Sequence, residues 1–217
     1  MFSTGKVKHD STAFSNGAGT ARHHAPAHHG GLPDTSGFAH PHTNIAAFGL
    51  DHGMKVADFG SGSGHYTIAI AEQLQNSGHV YAIDVQRDLL KRTHNEAAKL
   101  GLKNVSVIWG DLEASGSTKI ANHHIDLVLI SNTLFQIEEK AAVIEEARRI
   151  LKPTGRLVLI DWSDSFGGMG PHKNDVLKKE AALTLAKSGG FELVREFSAG
   201  AHHYGLMMRM APHAHKN

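Results

Sequence analysis

Residues Val56-Ala-Asp-Phe-Gly-Ser-Gly-Ser-Gly64 set a short apolar run directly against three glycines at alternate positions, and a helical pattern, His65 to Gln75, follows at once. A buried strand that breaks into such a turn and then a helix leaves few folds open. Glycines at 60, 62 and 64 let the backbone approach a ligand where a Cβ would collide. The helix that starts there directs free N–H groups at the same spot. Asp84 closes the next strand candidate about 20 residues further on, the spacing at which a carboxylate takes ribose hydroxyls. Together these residues read as a nucleoside-cofactor site.

From Met54 onward strands and helices alternate. The strand candidates are Lys55–Phe59, His79–Asp84, Val105–Gly110, Ile125–Ser131 and Arg156–Asp161, each short, apolar and bounded by turn signals. Helical stripes fill the gaps. Arg87–Leu100 places Leu89, Leu90, Thr93, Ala97 and Leu100 on one side and stops at Gly101. Glu138–Leu151 aligns Val143, Ile144, Ala147, Ile150 and Leu151, and Lys152-Pro153 ends it. This repetition implies a parallel sheet with right-handed crossovers. Only the link between Val105–Gly110 and Ile125 is too short for a full helix. A last helix runs from about Asn174 to Ser188. Two further strands, Phe191–Phe197 and His203–Met210, are joined by Ser198-Ala-Gly-Ala201, too short for a parallel crossover, so they form an antiparallel hairpin. The expected fold is α/β: a Rossmann-like, seven-stranded, mostly parallel sheet with a C-terminal antiparallel hairpin and helices on both faces.

Three parts are expected along the chain. Residues 1–33, rich in His, Gly and Ala, are read as a disordered tail that cannot bury a core. Residues 34–212 form the domain, opening with a short helix between Asp34 and Leu50 that carries Phe38, Ile45, Phe48 and Leu50. Residues 213–217 are a flexible end. Net charge is +1 and gives no global case for nucleic acid or a membrane surface. Cysteine is absent, which removes disulfides, thiolate nucleophiles and Cys-based zinc sites. No apolar run reaches transmembrane length and no secretory signal is visible, so a cytoplasmic protein is expected. There are 18 histidines, many in His23-His-Ala-Pro-Ala-His-His29, but no well-spaced ligand set lies on a regular element and no metal site is expected.

Several segments together resemble the class I S-adenosylmethionine-dependent methyltransferases. Asp58-Phe-Gly-Ser-Gly-Ser-Gly64 resembles the family's acidic-x-Gly-x-Gly-x-Gly motif, and Tyr81-Ala-Ile-Asp-Val85 its ribose-binding motif. Trp109-Gly-Asp-Leu112 is similar to the adenine-side motif, and Ile125-Asp-Leu-Val-Leu-Ile-Ser-Asn132 to the fourth strand. Ala147-Arg-Arg-Ile-Leu-Lys-Pro-Thr-Gly-Arg-Leu157 matches the helix before the fifth strand, with Thr154 where a second glycine is usual. The resemblance spans about Phe38 to Met210 and leans to the small single-domain type that resembles quinone and arsenite methyltransferases. The arsenite chemistry uses cysteines, which this chain lacks. Ser131-Asn-Thr-Leu134 also departs from the motif of the adenine and cytosine methyltransferases.

The resemblance implies S-adenosylmethionine as cofactor, S-adenosylhomocysteine as product and a small-molecule methyl acceptor. The cofactor-binding residues it implies are Asp58, Gly60, Ser61, Gly62, Gly64, Asp84, Val85, Gly110, Asp111, Leu112, Ser131 and Asn132. Asp58 orients the loop or takes the cofactor's ammonium. Asp84 accepts ribose hydroxyls or caps a helix. Asp111 accepts from the adenine amino group, with Leu112 N–H on the ring, and Ser131 and Asn132 lie on the rim below the sulfonium. No catalytic residue is assigned. His172, His203 and Tyr204 are candidates, because the loop 161–173 and the hairpin turn are expected on the same rim; ordinary packing is the competing reading for each. Two rivals remain: a nicotinamide-binding domain, whose fingerprint needs glycine where His65 stands, and a non-catalytic sensor or assembly protein that binds the same cofactor. The acceptor and the oligomeric state are not specified.

Overall fold

The computed structural model describes residues 40–166 and 170–212, all within the compact unit Asp34–Asn217. The expected tail 1–33, Phe38, Gly167, Gly168, Met169 and residues 213–217 lie outside the described residues.

Seven strands form one sheet: β1 (Lys55–Phe59), β2 (His79–Asp84), β3 (Val105–Trp109), β4 (Ile125–Ser131), β5 (Leu151–Trp162), β6 (Phe191–Ser198) and β7 (His203–Met210). Their order is β3-β2-β1-β4-β5-β7-β6. The first five are parallel, while β7 runs antiparallel to both β5 and β6. The chain steps outward from β1 to β3, then returns to the other side of β1 as β4. That reversal opens a crevice beyond the carboxyl ends of β1 and β4.

The helices are α1 (Pro41–Asn44, running into a 3-10 turn at Ile45–Ala47), α2 (His65–Gln73), α3 (Arg87–Lys99), α4 (Lys140–Ile150) and α5 (Lys179–Ser188). Strand residues alternate between faces, so the mostly apolar parallel strands feed two cores. Val56, Val80, Leu127, Leu129, Val158 and Ile160 meet Phe48, Tyr66, Ile70 and Leu74 on one face. Ala57, Phe59, Val128, Ile130, Leu157 and Leu159 meet Val143, Ile144, Ile150 and Ala182 on the other. Helices therefore cover both faces. None among the described residues is long and apolar enough to cross a membrane.

Among the described residues the first helical segment is α-helical over Pro41–Asn44 and continues as a 3-10 turn over Ile45–Ala47. Two boundaries differ from expectation by several residues. β5 starts at Leu151 and takes in Lys152-Pro153 instead of beginning at Arg156. Leu151 pairs with Ile125, then the register shifts before Leu127 meets Arg156; this irregularity accommodates a proline that has no N–H to give. α5 begins at Lys179 rather than near Asn174, since Asp175 N–H is spent on His172 O and Leu177 O accepts the Tyr204 hydroxyl. Between β3 and β4 there is no helix, as the short spacing implied.

Candidate functional site

A cleft of about 510 Å³ lies at the crevice beside β1, β2 and β4, within the roughly 300–1,000 Å³ usual for small-molecule sites. Its lining includes Asp58, Gly60, Ser61 and Gly62 from the end of β1 and its loop, and Asp84 and Val85 from the end of β2. Asp111 and Leu112 come from beyond β3, and Ser131 and Asn132 from the end of β4. Gly64 and Gly110 do not line it.

Asp58 is buried at the tip of β1, and its Oδ2 accepts the Thr67 hydroxyl at 2.6 Å. Burial pushes this carboxyl up to about 6; the Thr67 hydroxyl opposes the rise and the nearby Asp84 adds to it. Asp84 holds the glycine loop: its Oδ2 accepts Gly62 N–H at 2.9 Å and its Oδ1 accepts Gln86 N–H at 2.8 Å. It does not cap α3, whose N-cap is Gln86. Each Asp84 oxygen keeps acceptor capacity beyond one amide. Asp111 is exposed and accepts Glu113 N–H at 3.0 Å.

Four of the loop's own amides are held within the protein. Gly60 and Ser61 donate to Ile83 O, Gly62 to Asp84 and Gly64 to Ser61 O. These bonds fold the turn onto β2, so what the glycines supply is proximity. Gly60 has φ +70°, and a Cβ there would stand 2.3 Å from the Thr133 hydroxyl oxygen. A Cβ on Gly62 would meet no protein atom within 4 Å, because that side of the loop borders the cleft.

Residues that the sequence reading passed over complete the cleft: Pro41, Ser63, His65, Tyr66, Gln86, Glu113, Thr133, Gln136 and Ile137. Thr67, just behind it, holds Asp58. A hydroxyl residue three positions past Gly64 was the available signal for Thr67. Four lining carboxylates, Asp58, Asp84, Asp111 and Glu113, face the cleft with no Lys or Arg among the described lining residues. Such a lining favours a cation. Ser61 Oγ, Ser131 Oγ and Asn132 Oδ1 are buried there and hold no hydrogen bond, and buried polar atoms in that condition call for a partner. Asn132 also takes φ +53°, rare for a non-glycine residue. These features fit a nucleoside bearing a cationic amino-acid tail.

The loop that carries Asp111 is pinned from α4. Glu146 is buried; its Oε2 accepts Gly116 N–H at 3.1 Å and its Oε1 the Thr118 hydroxyl at 2.6 Å. Arg149 bridges to both Glu146 oxygens at 2.7 and 2.8 Å and donates to Ile120 O and Asn122 Oδ1. Burial raises the Glu146 pKa, but the Arg149, Thr118 and Gly116 bonds outweigh it and hold the carboxyl down at about 2.

The three acceptor-side candidates lie away from the cleft lining. His172 is exposed. His203 is buried with its ring 4.2 Å from that of Trp162. Tyr204 is buried and donates to Leu177 O at 2.9 Å, and burial holds its phenol far above the ordinary value. Beside Tyr204, Asp161 is 2% exposed at the end of β5 and burial pushes its carboxyl up to about 7.

Residues 50–205 match the family profile of a methyltransferase domain. A demethylmenaquinone methyltransferase of Anoxybacillus flavithermus is 30% identical over 114 residues, 52% of this chain and 47% of that protein. A ubiquinone/menaquinone biosynthesis C-methyltransferase of a Shewanella species is 29% identical over 120 residues, 55% of this chain and 47% of that protein. The chain thus spans a little under half the length of these relatives. Among solved structures, a SAM-dependent methyltransferase from Aquifex aeolicus superposes with a TM-score of 0.73 at 27% identity, over 82% of this chain and 93% of that one.

Proposed function

This chain belongs to the methyltransferase-domain family, and on that premise we propose that it transfers a methyl group from S-adenosylmethionine to a small acceptor. The observation that carries the reading is the acidic cleft at the strand reversal, where carboxylates from neighbouring strand ends meet three buried polar atoms without partners. Asp84 would take the ribose hydroxyls, Asp111 and Leu112 the adenine edge, and Asp58 the ammonium end of the tail. Val85 would pack on the nucleoside, and Ser131 and Asn132 would stand at the sulfonium end. Gly64 and Gly110 contribute through the shape of their turns.

When bound, the cofactor supplies a methyl group activated on a cationic sulfur. The protein's part is to orient it, to align the acceptor for in-line displacement and to keep water out. At pH 7 Asp58, with its pKa of about 6, is mostly ionised and can hold the ammonium. None of His172, His203 and Tyr204 lines the cleft, so a base among them would have to act after a rearrangement.

For the acceptor we propose a reduced quinone ring methylated at carbon. The names of the two relatives favour it, and a hydroquinone ring is the electron-rich form that can displace the methyl from sulfur; S-adenosylhomocysteine leaves, and the methylated ring carbon gives up its proton to water, which restores the aromatic ring. Gln136 and Ile137, which follow β4, and Pro41 from α1 would border it. The test is S-adenosylhomocysteine release from S-adenosylmethionine with demethylmenaquinol as probe, against a blank without acceptor. Release above the blank supports the acceptor. Thermal stabilisation by S-adenosylmethionine and S-adenosylhomocysteine but not by NAD, without release, keeps the cofactor and removes this acceptor. No stabilisation by either removes both.

A further inference from the structure

We propose, on the cofactor reading above, that Tyr66 binds the carboxylate of the cofactor's methionyl tail through its phenolic O–H, and that Asn44 is the positioning residue that turns that proton toward the cleft.

The tail carries an ammonium and a carboxylate on one carbon. Whatever holds the carboxylate must stand beside the group that holds the ammonium, and it must offer protons. The cleft is lined by four carboxylates and, among the described residues, by no Lys or Arg. The amides of Gly60, Ser61, Gly62 and Gly64 are spent inside the protein. The donors left for an anion are the first amides of α2 and side-chain O–H and N–H groups.

Tyr66 is the best prepared of these. It lies in the first turn of α2, is 8% exposed and lines the cleft. Its ring stacks on Phe48, with centroids 6.1 Å apart and planes 21° apart, which fixes its direction. Its oxygen accepts Asn44 Nδ2 at 2.8 Å, and the same amide nitrogen donates to Ala199 O at 3.0 Å in the β6–β7 turn. One amide nitrogen has two protons, so both are committed. With its oxygen already accepting, the phenol's own proton is the one left to give. Ser131, at the tip of β4, has its buried hydroxyl close to the same phenol. Burial, with the charge of Asp58 adding to it, holds the phenol above its ordinary pKa and keeps that proton in place. Tyr66, which feels the Asp58 charge, and Ser131 thus bring two O–H groups to the cleft that Asp58 lines, the pattern that an amino acid's two charges require.

The test compares three ligands by calorimetry on the full chain: S-adenosylhomocysteine, its decarboxylated analogue S-adenosyl-3-thiopropylamine, and 5′-methylthioadenosine, which has no amino-acid tail. Tyr66→Phe should weaken S-adenosylhomocysteine at least about tenfold, the scale of one hydrogen bond to a charged group. The other two ligands should change less than about twofold, since they lack that group. Asn44→Ala should show the same selectivity with a smaller loss and should add little in the double variant. Equal weakening of all three ligands by Tyr66→Phe would make Tyr66 a packing residue and overturn the proposal, as would no change in any. A loss that spares only 5′-methylthioadenosine would assign Tyr66 to the amine and also overturn it. Additive effects of the two variants would remove Asn44 from the positioning role. Should Tyr66→Phe fail to fold, Asn44→Ala alone must show the selective loss. Failure of the unaltered protein to bind S-adenosylhomocysteine is a separate result, and it would refute the cofactor reading itself.

Discussion

Replacing Thr67 by Val would test whether the charge on Asp58 is what the cofactor uses. The substitution keeps the shape of a fully buried side chain and deletes the hydroxyl that donates to Asp58 Oδ2 at 2.6 Å. A hydrogen bond to a charged group is worth about 1.5–3 kcal/mol. At 1.36 kcal/mol per unit, its loss raises the carboxyl by about one to two units. In the unaltered protein that group sits at about 6 and is mostly ionised at pH 7. In Thr67→Val the ionised share at pH 7 falls to between about one half and one tenth. If only the carboxylate holds the ammonium, affinity for S-adenosylhomocysteine drops about two- to tenfold at pH 7, more at pH 6, and recovers by pH 9. Calorimetric titrations at pH 6, 7, 8 and 9 on both proteins would show this as a binding curve displaced toward alkaline pH. A loss of equal size at every pH would mean damage to the loop. Superimposable curves would mean that Asp58 serves the turn and not the ligand.

Asp84→Ala should weaken S-adenosylhomocysteine by more than about 1.5 kcal/mol, because it removes a charged acceptor and releases the amides of Gly62 and Gln86; unchanged affinity would take Asp84 out of the site. Asp161 is raised to about 7, so its folded form favours the neutral acid, and the stability it contributes is full below the unfolded value of 3.8 and lost as pH rises through 7. The stability gap between Asp161→Asn and the unaltered protein should therefore widen by about 2–3 kcal/mol in the variant's favour between pH 5 and pH 8, read from denaturant melts at both. Glu146→Ala should cost about 3–5 kcal/mol near neutral pH, because it strands Arg149, Thr118 and Gly116 around a buried position. With Glu146 held at about 2, the stability it adds is present above 4.5 and fades as pH falls toward 2, so the deficit of the variant should shrink in acid.

The sheet was legible because buried parallel strands write themselves as short apolar runs, and Ile125–Ser131 needed no context to be read. The reversal at β7 followed from four residues too few for a crossover. The start of α5 was not legible: Lys178 is extended, and the Leu177 carbonyl before it accepts the hydroxyl of Tyr204, a partner 27 positions away. At the site, the motif residues announce themselves by spacing. Tyr66, Asn44 and Thr133 do not, since their work depends on which segments meet: Asn44 reaches Ala199 across 155 positions. His203 and Tyr204 were drawn to the rim by topology, and they are at the rim, but β5 pairing points them at Trp162 and Asp161. Strand order places a residue at an edge; side-chain direction within the strand decides what it touches.

The sheet has to end somewhere, and β6 is where a stray chain could try to continue it. An unpaired strand edge is a template for aggregation unless something spoils it. Here the pairing register slips between Leu193 and Arg195, which breaks the even row of backbone groups that an added strand would need. Glu192 and Glu196 are tied to Arg209 and Lys179, and Arg195 reaches across to Ala47 O. An incoming strand would have to strip three charged side chains from their partners and still fail to find a regular ladder. Val194, 48% exposed, is the one large apolar residue left outward on that strand, set at the slip itself, where a partner would gain least from covering it.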